Sequence, residues 1–163
     1  MANKNVETQE ELNLDFKVTV KNLAGWKVTF ARIDGVGDIN IPPEGSVRLS
    51  RGEVISQVQN GNKLFTGIDG NGGHATLIVE DDATRKELGF DGEDDTNKQE
   101  VFSDDVVTRL FSLKTQNAFK KNFAESIKTR AEKYAVIQAI KRLKINDYSK
   151  IRFAEEYTGF KVQ

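Results

Sequence analysis

The sequence contains no cysteine among its 163 residues, and this absence excludes several kinds of chemistry together. Without thiols the chain forms no disulfide bond, no thiolate zinc site and no cysteine nucleophile. The absence of cysteine does not indicate a cellular compartment, because a protein without disulfides can work in any of them. Proline is also scarce, with 2 residues beside 13 glycines, a composition typical of a globular chain and of neither a collagen nor a largely disordered one.

Long apolar runs are missing as well. No stretch approaches the roughly 20 apolar residues that span a bilayer. Residues 1–14 are polar and acidic, whereas a secretory signal has a positive start followed by an apolar segment. We therefore expect a soluble protein that is made inside the cell and has no membrane partner.

Charge is divided unevenly along the chain, although the net charge is only −1. Residues 1–105 hold 11 basic and 20 acidic side chains, a net charge of −9, and residues 106–163 hold 13 and 5, a net charge of +8. This asymmetry predicts a charged partner, or docking of one half on the opposite half of another copy. The alternative is that two solvated surfaces simply differ in charge.

The first part of the chain has the patterns of a small sheet. Residues 1–13 are expected to form a flexible acidic arm, and residues 14–90 a β-rich domain. Alternating apolar residues over 15–21 and 26–33 predict two strands that pair as a β-hairpin. A short helix is predicted over 51–59, since Ser50 and Glu53 have the spacing of a capping box. Further strands are predicted at 39–41, 47–49, 63–66 and 75–80, and a short helix at 81–88.

The second part has helical patterns. Residues 91–102 are predicted to be an acidic linker, and residues 103–163 a basic helical region with a long amphipathic helix over 104–128. A second capping box restarts a helix at Thr129, and a last short helix follows Asp147. The expected fold class is therefore α+β: a small antiparallel or mixed sheet, or partly open barrel, with one short inserted helix, followed by two or three helices.

Candidate chemistry is sparse. His74 is the only histidine, and no nucleophile motif accompanies it, so a catalytic triad is not predicted. From the loop 69–73 onward, Asp69, Asn71 and Glu80 fall at the first, third and twelfth positions of a calcium loop. The sixth position, which requires glycine, is His74, and a plain β-hairpin loop explains the same residues. We predict no catalytic residue, no metal site and no cofactor.

The basic tail is the most suggestive segment. Two short helices joined by a tight turn permit a helix-turn-helix interpretation, in which basic side chains meet phosphates. The alternative is a helical hairpin with a solvated basic face, whose cations also suit helix C-termini. The candidate contacts with a partner or with phosphate are Lys141, Arg142, Lys144, Lys150 and Arg152.

Three runs resemble small, largely uncharacterised structural proteins of tailed bacteriophages and prophages: 17–30 (KVTVKNLAGWKVTF), 47–67 (VRLSRGEVISQVQNGNKLFTG) and 74–90 (HATLIVEDDATRKELGF). The resemblance implies a virion or head-associated role, near the capsid or the head–tail junction, after assembly in the host cytoplasm. It also implies other virion proteins, or further copies of the chain in a homo-oligomer, as partners. It supplies no functional residues.

Together these observations favour a non-enzymatic bacteriophage structural or assembly protein. The alternative is a nucleic-acid-binding or regulatory protein that uses the basic helix-turn-helix-like region.

Overall fold

The structure of the chain, a computed structural model, describes residues 12–91 and 102–162. The predicted arm, 1–13, lies outside these ranges except for its last two residues, and the predicted linker, 91–102, except for its two ends. Within the described ranges the fold is α+β, as predicted. Its elements are β1 Lys17–Asn22, β2 Val28–Ala31, β3 Asp38–Ile41, β4 Ser46–Ser50, α1 Arg51–Gln59, α2 Lys63–Thr66, β5 Leu77–Val79, α3 Asp82–Glu87, α4 Asp104–Phe111, α5 Gln116–Ser126, α6 Arg130–Arg142 and α7 Tyr148–Thr158.

The strands of residues 12–91 and 102–162 form two antiparallel sheets and no closed barrel. β1 lies at the centre of the three-stranded sheet, between β4 and β5, with Val18 opposite Leu49 and Val20 opposite Val79. β2 pairs with β3 in a separate two-stranded sheet. The predicted hairpin between 15–21 and 26–33 is therefore wrong, since both edges of β1 are occupied by strands from later in the chain.

A buried side chain at the end of β1 accounts for this difference. Asn22 is fully buried, and its amide nitrogen donates to the carbonyl oxygens of Trp26 (2.9 Å) and Pro42 (3.1 Å). Its side-chain oxygen accepts a hydrogen bond from the backbone N–H of Ala24 (2.9 Å). These bonds hold the turn after β1 against the end of β3, so the chain leaves the first sheet before β2 begins.

Two apolar cores lie side by side, and α6 belongs to both. The first packs the sheets against α1 and α2 around Phe65, and includes Ala131 and Ala135 from α6. The second packs the four C-terminal helices around Phe119 and Phe123, and takes four residues from the same helix: Val136, Ile137, Ala139 and Ile140. The position of α6 therefore fixes the helices relative to the sheet.

Most predicted helix boundaries are confirmed, and two elements differ. Residues 63–66 form one helical turn instead of a strand, because the Asn62 side chain accepts from the N–H of Leu64 and caps it. The predicted helix 104–128 is two helices, since α4 ends at Phe111 and Thr115 caps a new one. The capping box at Thr129 is confirmed.

Replacement of Asn22 by alanine is expected to lower the free energy of unfolding by about 1–3 kcal/mol, because the fully buried amide and its hydrogen bonds to the turn are lost. Replacement by aspartate should cost at least as much, since a carboxylate cannot donate to the carbonyls that the amide reaches. Urea unfolding measures both. Asn40→Ala is the control: Asn40 accepts from Thr29 at an exposed position, and its loss should cost less than about 0.5 kcal/mol. An equal loss in both alanine variants would contradict the role given to Asn22.

Candidate interaction surface

The junction between α6 and α7 ends the first helix in an unusual way. The N–H of Lys144 donates to Lys141 O and that of Ile145 to Ile140 O, both at 3.2 Å, which is the hydrogen-bond pattern of a Schellman motif. Glycine usually occupies the left-handed position of this motif, yet here it is Lys144, with φ of 54°. Asp147 then caps α7 by accepting from the N–H of Lys150.

This junction exposes apolar and basic side chains together. Tyr148 is 83% exposed and Leu143 37%, although both are large and apolar. Lys141 and Lys144 are exposed beside them, and no carboxylate within 12–91 or 102–162 forms an ion pair with either. We call Lys141, Leu143, Lys144 and Tyr148 the junction patch.

Lys150 belongs to the interior and not to this surface. Its side chain is 10% exposed, and its ammonium donates to the carbonyl oxygens of Phe111 (2.9 Å) and Leu113 (2.6 Å). Phe111 is the last residue of α4 and Leu113 follows it, at a helix end where the last C=O groups have no intrahelical partner. Lys150 therefore ties the start of α7 to the end of α4, and its ammonium is not available to a phosphate.

The remaining predicted residues form surface ion pairs. Arg142 pairs with Asp104 at the start of α4, and both side chains are about half exposed. Arg152 pairs with Glu156 one turn along α7, at 3.3 Å, and is 83% exposed. Of the five predicted contacts, the structure thus brings Lys141, Arg142 and Lys144 together at the junction.

The charge state of Asp147 supports this geometry. Burial raises the pKa of the Asp147 carboxyl, but the N–H of Lys150, the hydroxyl of Ser149 and the Lys150 ammonium outweigh that effect and hold the pKa below its ordinary value. Asp147 therefore stays ionised across the neutral range, and the cap that begins α7 is maintained.

A groove of about 690 Å³ lies beside the junction, between the three-stranded sheet and the helices α4 and α6. Its wall contains the buried or half-buried apolar residues Leu23, Ile78, Phe102 and Ala135. Its exposed charged residues are four carboxylates and two cations: Glu44, Glu80, Asp104 and Asp105, with Lys21 and Arg142. The groove is therefore apolar inside and carries an excess of negative charge. Sequence reasoning missed it, because its residues come from five separated segments.

One carboxylate of the groove affects a neighbouring phenol. Burial raises the pKa of Tyr134 above its ordinary value, and the negative charge of Glu44 raises it further. Tyr134 therefore stays neutral at any physiological pH. Its ring packs directly over the backbone of Gly25, where a Cβ atom would overlap it.

His74 bonds to a buried carboxylate at the start of α6, and the described residues do not place it in a catalytic triad. Its Nδ1 lies 2.9 Å from a carboxylate oxygen of Glu132, whose side chain is 3% exposed. The hydroxyl of Thr129 bonds to that same carboxylate. In the described part of the chain no hydroxyl hydrogen-bonds to His74. The pair instead fastens the 67–73 loop to the start of α6.

The loop that resembles a calcium site uses its carboxylate to close itself. One oxygen of Asp69 accepts from the N–H groups of Asn71 (2.8 Å) and Gly73 (3.0 Å). Across residues 12–91 and 102–162, no group of three or more histidine or acidic side chains is placed to hold a metal ion.

Comparison of the chain with protein-family models, with curated proteins and with solved structures gives no match in any of the three. The helices of the described ranges include none that is long and apolar enough to cross a bilayer. The resemblance to phage structural proteins therefore stays a prediction.

Lys150 and Arg152 are expected to respond very differently to truncation. Lys150→Ala leaves two helix-terminal carbonyls without their charged donor, and should lower the free energy of unfolding by about 2–3 kcal/mol. Arg152→Ala removes only an exposed ion pair, and should change it by less than about 0.5 kcal/mol. Thermal or urea unfolding of the two variants measures both changes in the free energy of unfolding. Equal stability would show that Lys150 is not an internal anchor.

His74→Ala should destabilise the fold by about 1.5–2 kcal/mol, because the buried Glu132 carboxylate loses one of its donors. His74→Asn should recover part of this loss, since asparagine tolerates the positive φ of 59° at this position and its amide can donate. Urea unfolding at neutral pH gives both values. An asparagine variant as unstable as the alanine variant would argue against a hydrogen-bonding role.

Proposed function

We propose that this chain is a non-enzymatic assembly protein that binds neighbouring protein subunits through the junction patch. The resemblance to tailed-phage structural proteins suggests the setting, a virion component near the capsid or the head–tail junction. The observation that carries the proposal is the exposure of Tyr148 and Leu143 between two cations that have no ion-pair partner in the described chain.

Physical magnitudes favour a protein partner. Burial of one large apolar side chain contributes about 1.5–3 kcal/mol, whereas an exposed ion pair contributes about 0.2–1 kcal/mol. Tyr148 would therefore supply most of the affinity, and Leu143, which is only 37% exposed, a smaller part. Lys141 and Lys144 would select a partner with negative charge and would guide its approach.

The backbone conformation of the patch also supports a role in binding. A residue other than glycine in the left-handed conformation costs roughly 1–2 kcal/mol, and Lys144 has φ of 54°. Glycine would remove this strain. A lysine here supports the view that its side chain contributes something that folding does not need.

The test is whether the chain joins virions through the patch. In lysates of the phage that carries the gene, the chain is expected to co-sediment with virions on a density gradient. Replacing Leu143 and Tyr148 together by serine should reduce the bound fraction at least about 10-fold, because the apolar contact is lost.

Val36→Ser is the matched control. Val36 is 98% exposed in the connection between β2 and β3, so this change removes a more exposed apolar side chain away from the patch. It should leave the bound fraction unchanged. The proposal fails if the chain stays in the soluble fraction, or if both variants lose binding equally.

A nucleic-acid partner is the second candidate, and one observation favours it. Lys120 lies over the ring of Phe153 at 5.5 Å and Lys133 over Tyr157 at 5.1 Å, while the two rings stack on each other. Cations beside half-exposed aromatic rings are typical of surfaces that bind single strands. Titration of a labelled single-stranded oligonucleotide at several salt concentrations tests this function. A steep salt slope that Lys120→Ala and Lys133→Ala reduce would favour it over the assembly role.

A further inference from the structure

We infer that the junction patch docks in the acidic groove of a second copy of the same chain, and that two copies do so reciprocally about a two-fold axis. This inference rests on the proposed function and names the partner. It also gives the groove a role, since the proposed function involves only the junction patch.

The charges of the two surfaces are complementary. The patch presents Lys141 and Lys144 with no ion-pair partner among the described residues. At the groove, Arg142 pairs with Asp104, but Glu80 and Asp105 have no ion pair within the same ranges. Two cations on one surface therefore match two carboxylates on the other, and none of the four is ion-paired within 12–91 or 102–162. Such a match gives an association its orientation and its choice of partner.

The apolar parts are complementary too. Leu143 and Tyr148 project from the patch, and the groove offers an apolar wall to which Leu23 and Phe102 contribute. Aromatic side chains that enter a pocket at the centre of an interface commonly supply most of the binding energy. Tyr148 has the exposure and the size for this role.

The two surfaces adjoin each other on one molecule. Arg142 lines the groove and also lies between Lys141 and Leu143 of the patch. In a head-to-tail ring the two contacting surfaces lie on separate faces, whereas in a two-fold dimer the same face serves both copies. Adjacent complementary surfaces therefore favour the two-fold arrangement.

Area favours the reciprocal arrangement as well. A stable interface buries about 800 Å² on each partner. A large aromatic side chain contributes only about 150–250 Å², so one patch in one groove falls short. Reciprocal docking uses a patch and a groove from each copy and doubles the contact.

The experiment measures self-association by analytical ultracentrifugation over a concentration series. The unaltered chain is expected to form a dimer. Lys144→Glu and Glu80→Lys should each weaken dimerisation at least about 10-fold, because each places like charges in contact. Lys121→Glu, which reverses an exposed cation on α5, should have no comparable effect.

Mixing the two weakened variants gives the sharpest result. A Lys144→Glu chain has a more acidic patch and an acidic groove, and a Glu80→Lys chain has a basic patch and a less acidic groove. In a mixed dimer each contact regains an opposite-charge pair, so native mass spectrometry of a 1:1 mixture should show the heterodimer in excess over either homodimer. A larger alternating species would replace the two-fold arrangement by a ring.

Lys144→Gly separates binding from folding. Glycine removes the strain at this position together with the ammonium. The variant should be no less stable than the parent in urea, yet it should dimerise more weakly. Unchanged dimerisation would remove Lys144 from the contact.

The outcomes also distinguish this inference from the proposed function. A chain that is monomeric throughout, but loses virion association when Leu143 and Tyr148 are replaced, overturns self-docking and keeps the assembly role. Virion association that survives Glu80→Lys but not Lys144→Glu has the same meaning. A monomer that never joins virions overturns both.

Discussion

The buried carboxylate of Glu132 is the interaction on which the two halves of this fold depend. It accepts hydrogen bonds from the N–H groups of Lys128 and Thr129, so it begins α6, and it bonds to His74 in the sheet-bearing part. A carboxylate this deeply buried is tolerable only when its oxygens are fully bonded. The start of α6 and the 67–73 loop must therefore form together, and each core is completed by the same helix.

Rigidity at the other end of α6 has a separate source. Lys150 bonds to two carbonyls at the end of α4, and Asp147 caps α7, so the start of α7 is held from two sides. The junction patch spans the end of α6 and the start of α7. Its exposed residues are consequently fixed in position before a partner arrives, and binding requires little further loss of backbone freedom.

Local sequence signals predicted the helices well, but they could not predict which strands pair with each other. Capping residues such as Ser50, Thr129 and Asp147 act within a few residues, so spacing alone reveals them. The partners of β1 depend on Asn22 reaching Trp26 and Pro42, and no local pattern encodes that reach. The burial of Lys150 could not be predicted for the same reason. A lysine is expected to be exposed, and only the packing of α7 near the end of α4 places two carbonyl oxygens within reach of its ammonium. The groove is the extreme case, because its lining comes from five separated segments.

The structure also changes the meaning of the charge asymmetry. Residues 12–91 hold 9 basic and 11 acidic side chains, so the sheet-bearing part is almost neutral. Most of the acidic excess lies in 1–11, with 1 basic and 3 acidic residues, in 92–101, with 1 and 4, and at Asp104 and Asp105. The negative charge of the first half therefore belongs mostly to segments outside the sheet-bearing part. Within the described chain, the acidic groove is a place where negative charge is held in fixed geometry beside an apolar wall. That combination, and not the overall charge of either half, is the basis on which we propose a second copy as the partner of the patch.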